Sequence, residues 1–451
     1  MWIETGILGG ILVAGIAYFG ISIRAIKKRC IDLIDWFIFS IGTFNGLGFA
    51  FVVWATVNRK NDDFWTIILL RYNEHFWLYP LATFILLLAV WSGAYFGGYI
   101  FTKKSKECNN TSIRFQKIIR RRIMFLGIGM FILGFISYWL YSGAYGGFFS
   151  LLKVSRLIRA GLFDVIGVNN PWSFLRPVGG LAFFSSFIFY GFILNDMLAK
   201  RFVSLNLICF VLAFSFSLFV LYSWMGRVAI VVYLITFPLG YFLVRYGTNI
   251  RVVPRILIIL LISLFLLINV SIVIDRSNID NINVISFFAK ELSFPFASFF
   301  AQVENGQYRL MKDILIAPIY ILPQRIWLEY LGLDTASIYN TTLIMGAPKG
   351  KSGVTGEIPV DILTFSFMQG GIVSVLIIGF LWGIFLLWLN NEILRLEIGE
   401  IKNVIYAYII VNVAMLTALY GDPSHIIVRN FNIIVGLIAI FIIKRIPIIK
   451  Y

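Results

Sequence analysis

Metal, redox and nucleotide chemistry find little to work with in this 451-residue sequence. It holds two histidines, His75 and His425, and three cysteines, Cys30, Cys108 and Cys209. No cluster has metal-ligand spacing, and there is no CxxC to support thiol redox chemistry. Two of the cysteines lie in basic connecting segments and one within an apolar run, so no disulfide framework is expected. Gly-x-Ser-x-Gly is missing. Gly350-Lys351-Ser352 has neither the upstream glycine spacing nor the preceding strand of a phosphate-binding loop. Charge is also scarce, at 13% of residues against roughly 25% in soluble domains. No cofactor is expected.

Apolar sequence is plentiful: 60% of the chain is hydrophobic and 17% aromatic. With about 20 apolar residues per crossing, eleven spans are expected. They are 3–23, 33–57, 76–101, 123–141, 177–195, 203–223, 228–246, 256–274, 367–389, 403–420 and 430–443. The fold expected is an all-α polytopic membrane protein, residues 1–451 forming one integral membrane domain. The stretch from Trp2 to Ile23 lacks a basic leader and reads as the first span rather than a cleavable signal.

The net charge of +16 points to a membrane face, not to nucleic acid, because it is unevenly distributed. Connections on one side hold 22 of the 38 Lys and Arg against seven acids, leaving 16 and 15 for the other. The positive-inside rule makes the first side cytoplasmic. The N-terminus and a large external loop, 275–366, then lie outside and the C-terminus inside.

The external segments carry the polar residues that need explaining. Phe148–Arg159 has apolar residues at helical spacing with Lys153, Arg156 and Arg159 opposite, the pattern of an interfacial helix or of a docking surface for an anionic lipid-linked substrate. Arg227, at the tip of the hairpin Trp224-Met225-Gly226, needs an anionic partner or must snorkel. In the long loop, Phe287–Gly306 reads as an amphipathic helix on the membrane, and Tyr308–Trp327, with Arg309 and Arg325, joins a second such helix to a proline-punctuated turn. Met345–Gly356 is a small-residue loop whose backbone N–H groups, with Lys349 and Lys351 close by, could approach an anion. Glu357 and Asp361 follow, four residues apart. Pro359 places a helix start near Glu357, and in that helix the two carboxylates would share a face. The last external turn, Tyr420–Arg429, supplies His425, a candidate base near neutral pH.

In this arrangement the chain resembles the bacterial oligosaccharide repeat-unit polymerases (the O-antigen polymerase, or Wzy, family). The resemblance rests on Gly226-Arg227, the Pro323–Trp327 turn, Gly353-Val-Thr-Gly-Glu357, Phe367-Met-Gln-Gly370-Gly371 and Gly379-Phe-Leu-Trp-Gly383, with a further Arg156…Gly167 spacing. It implies an enzyme at the outer face of the bacterial inner membrane that moves a growing glycan from a polyprenyl-diphosphate carrier onto a sugar hydroxyl of the next lipid-linked unit. Such an enzyme needs no nucleotide or metal. By that resemblance Arg227 and Arg325 would hold diphosphate, with Arg309, Arg429, Arg156 and Arg159 in support. Glu357 would be the base, with Asp361 or His425 behind it. The partners implied are the lipid-linked substrates and the bilayer, with a chain-length regulator left open. An O-antigen ligase, or a flippase from the transporter class, are the rival readings.

Overall fold

A computed structural model describes residues 2–58, 64–101, 113–199, 204–249, 284–322 and 326–445, with 255, 258 and 262 as isolated helical positions. Among the described residues there is no strand. One isolated antiparallel bridge joins Cys30 and Asn249. Among the described residues nine helices are long and apolar enough to cross a membrane, and the pair Pro423–Arg429 and Phe431–Lys444, bent by 63°, would make a tenth. The chain is an all-α, multi-pass membrane protein. The expected span 256–274 lies almost wholly outside the described residues.

The spanning helices are α1 (Trp2–Lys28), α2 (Leu33–Val57), α3 (Leu78–Phe101) and α4 (Ile113–Gly143). The short α5 (Phe148–Ala160) follows, then the spans α6 (Leu181–Leu198), α7 (Ser204–Ser223) and α8 (Arg227–Tyr246). Next come α9 (Val284–Asn305) and α10 (Ala336–Met345), the long span α11 (Ile362–Leu394), α12 (Ile401–Ala418), and the bent pair α13 (Pro423–Arg429) and α14 (Phe431–Arg445).

Small residues make the tightest seam. Gly93 and Gly97 of α3 face Gly379 and Gly383 of α11, and a Cβ on Gly93 or Gly383 would collide with the backbone of Phe380 or Val90. In lipid, where apolar burial drives little, such close backbone approach is what holds helices together. α2 and α12 each pass through a π-helical stretch, Ile41–Gly48 and Ile410–Met415. The first carries Asn45 inward, where its side-chain amide donates to the Tyr79 hydroxyl and to Asp361 at 2.6 and 2.9 Å.

One end of the bundle is pinned by polar pairs. Arg24 bridges Asp32 and Asp35 at 3.0 and 2.7 Å, and Arg120 bridges Asp196 at 2.5 Å. Ile31 N–H donates to the Thr248 carbonyl, Tyr406 donates to Asn390 at 2.6 Å, and Arg122 donates to the Ile443 carbonyl at 3.3 Å. These contacts gather the ends of α1, α6, α8, α11 and α14 with the starts of α2, α4 and α12. Those are the ends that the charge pattern groups together.

The opposite end differs from expectation in three places. α9 does more than lie on a surface: Phe296, Phe299 and Phe300 are buried and interlock with Phe49 and Tyr79 at ring separations of 5.0–6.4 Å. The second amphipathic helix does not form. Among its described residues, the segment after Tyr308 holds a turn of helix at Lys312–Leu315, a 3-10 turn at Ala317–Ile321 and a π turn at Ile326–Tyr330. Pro318 and Pro323 remove the donors a longer helix would need. Finally, α11 begins at Ile362, not near Glu357. Asp361 caps it by accepting the Thr364 N–H at 3.0 Å, so Glu357 stays outside the helix. Within α11, Gly370 and Gly371 break the helical path; Gly371 has φ of +70°, and the Tyr308 hydroxyl packs against it. There the Arg309 N–H donates to the Met368 carbonyl at 2.8 Å.

Candidate functional site

Four cations meet around the tip of the α7–α8 hairpin, each delivered by a different segment. Arg159, on the last turn of α5, donates to the Met225 carbonyl. Arg176, just before the turn that leads into α6, stacks over Trp224 with its guanidinium carbon 5.9 Å from the ring. Arg227 begins α8 directly after Gly226 and pairs with Glu291 of α9 at 3.1 Å. Lys349 arrives from the loop after α10. Its aliphatic chain and Gly350 pack on Gly161, the residue that ends α5 with φ of +77°; glycine is needed there for both the left-handed cap and the close approach.

Burial pushes the Lys349 amine below its ordinary value; nearby Glu357 pulls it back up, and Arg176 and Arg159 push it down again. Arg176, Arg159 and Glu357 are thus all close enough to Lys349 to act on it. Tyr420, at the end of α12, tells the same story from the other wall. Burial raises its hydroxyl, Arg429 opposes this, and Glu291, Arg227 and Arg159 are all near enough to act on it. The Arg429 guanidinium lies 5.3 Å from the Tyr420 ring and donates to the Asn412 carbonyl at 3.1 Å, while its buried Nε has no partner among the described residues.

Beside these cations, His425 Nε2 and Glu357 Oε1 stand 3.4 Å apart, with side chains 30% and 26% exposed. Asp422 caps α13 and accepts from Ser424 and Ser337 at 2.8 Å, which fixes the turn carrying His425. Gly421 touches Ile362 so closely that a Cβ would collide with it, and its N–H donates to the Val360 carbonyl at 2.7 Å. Those contacts bring the His425 turn against the segment that carries Glu357. With Nε2–H turned to Glu357, Nδ1 is the nitrogen left with a lone pair.

The other sequence candidates sort clearly. Arg156 lies exposed on α5 one turn before Arg159. Asp361 is fully buried and accepts from Asn45, Tyr79 and the Thr364 N–H, so it does not join Glu357. Arg309 is committed to Asp313 at 2.6 and 2.8 Å and to Asp334 at 2.8 Å, a clamp that ties the start of this segment to the residues just ahead of α10. Arg325 lies outside the described residues. The diphosphate-binding set expected from the sequence did not include Arg176 or Lys349, although Lys349 was noted beside the small-residue loop. Lysine beside a glycine-rich loop was the available signal for Lys349; for Arg176 only the surplus of cations in 142–177 hinted at it.

Among the described residues no group of three His, Cys, Asp or Glu side chains gathers as a metal site would. No family model, curated protein or solved structure matches the chain.

Proposed function

We propose that the protein polymerises polyprenyl-diphosphate-linked oligosaccharide repeat units into a surface polysaccharide, working at the outer face of a bacterial inner membrane. The observation that carries this reading is the meeting of Arg159, Arg176, Arg227 and Lys349 beside the His425–Glu357 pair, at the end of the bundle away from the basic connections. An acceptor hydroxyl delivers its proton to His425 Nδ1 as its oxygen attacks the anomeric carbon of the donor glycan. The C1–O bond to phosphate breaks, and the carrier diphosphate leaves with the electron pair. The clustered cations stabilise that leaving group, the largest electrostatic task in the step. Glu357 is a positioning residue, holding the imidazole for that proton transfer. Diphosphate is a good leaving group, so no nucleotide is spent.

The test is glycan length in a strain lacking the gene and complemented with variants at matched expression. H425A is expected to abolish long chains, consistent with a loss of about 10²–10⁴-fold for a general base; R227A and K349A are expected to shorten them. Long chains of normal length in H425A would overturn its role. The deletion strain separates the rival enzyme: a polymerase mutant leaves single repeat units on the acceptor lipid, a ligase mutant leaves none.

A further inference from the structure

Arg227 was expected to find an anionic partner or to snorkel, and the structure supplies Glu291 at 3.1 Å, with the two side chains 23% and 32% exposed. A carboxylate inside a group of cations meant for phosphate is an odd tenant, and its placement on α9 explains it. Pro295 sits four residues further along. It has no N–H to offer the Glu291 carbonyl, so the helix loses a hydrogen bond at the residue that makes the ion pair. Beyond Pro295, α9 is locked. Phe296, Phe299 and Phe300 are buried, Asn340 donates to the Ser298 hydroxyl at 2.9 Å, and Thr364 donates to the Pro295 carbonyl at 3.3 Å. Before Pro295, Ala289 and Ser293 are buried, but Lys290 is exposed and Phe287, Phe288, Glu291 and Leu292 are only half-buried.

We propose that Glu291 is the resident counter-ion of the anion site: its carboxylate keeps the place on Arg227 that a diphosphate oxygen takes, and it leaves, with the segment of α9 before Pro295, when diphosphate arrives. This rests on the reading that Arg227 holds the carrier diphosphate. An ion pair this open to water is weak enough to be exchanged. Diphosphate brings more charge and a bidentate fit to guanidinium, so it wins the exchange. Without substrate, Glu291 limits the repulsion among the cations; with substrate, its release uncovers the site.

Binding of inorganic diphosphate to the purified full-length protein in detergent tests this, by calorimetry on wild type, E291Q, R227A and the double variant. E291Q is expected to bind about fivefold more tightly, the worth of a half-exposed ion pair, and this gain is expected to vanish in the R227A background. A gain of equal size with Arg227 absent, or no gain in E291Q while R227A binds weakly, overturns the counter-ion assignment alone. Wild-type binding by R227A overturns the underlying reading of Arg227.

Discussion

Glu357 and Asp361 show how little a four-residue spacing says once a helix start moves by a turn. Asp361 takes the cap of α11 and is sealed in by Asn45 and Tyr79, whereas Glu357 remains free to meet His425. The identity of the cap could have been read from aspartate's preference for that position; the proline two residues earlier pointed to the wrong turn. Arg309 misleads in the same way, since nothing in its neighbourhood of sequence announces that Asp334, 25 positions on, will claim it. That clamp has a pH signature. Burial alone would raise the Asp334 carboxyl, but hydrogen bonds from Arg309 and Lys312 outweigh it and hold it at about 2, against 3.8 when unconstrained. A depressed carboxylate contributes its stability above the unconstrained value and loses it as pH falls through the folded one. D334N is therefore expected to lower the melting temperature at pH 7 by about 1–2 °C. The gap should close between roughly pH 4 and 2 in a thermal-unfolding series.

Among the elements, the apolar runs were legible because length and hydropathy alone define a crossing, and α5 was legible from its helical period of apolar residues. α10 and the two π-helical stretches were not, since neither has a distinctive period and the stretches continue through otherwise helical sequence. The segment after Tyr308 was read as more helical than its described residues are, because its apolar residues recur at helical spacing while Pro318 sits in a 3-10 turn. The α3–α11 seam permits a sharp test. Gly383→Ile is expected to destabilise the detergent-solubilised protein by about 1–3 kcal/mol or more, as overpacking does, because its side chain must enter the Val90 backbone. Gly129→Ile, at a position with open space around it, serves as the control in the same thermal assay. Equal melting of the two variants would mean that the seam is not close-packed.

At the scale of the whole molecule, the two ends of the bundle have opposite characters. One is tied by part-buried ion pairs among helix ends. The other gathers cations and the His425–Glu357 pair from segments far apart in the chain. Composition and the positive-inside rule made this polarity legible, but the gathering itself was not, because it depends on Gly161, Gly350 and Gly421 letting loops touch. The topology follows as an expectation for cysteine labelling in a cysteine-free background. A membrane-impermeant maleimide should modify S352C in intact cells, with its outer envelope permeabilised, and reach E397C only after the inner membrane is disrupted. Labelling of both residues under the first condition would refute the assigned orientation.

The interlocked rings of Phe49, Tyr79, Phe296, Phe299 and Phe300 carry a consequence for anyone handling this protein. Two of those rings belong to the spanning helices and three to α9. A peptide cut out as 284–361 would leave three phenylalanines facing water with nothing to cover them. Such a fragment would aggregate instead of reproducing the native surface, so antibodies or inhibitors selected on it would meet the wrong shape. Selection has to be done on the whole chain in a bilayer or its substitute.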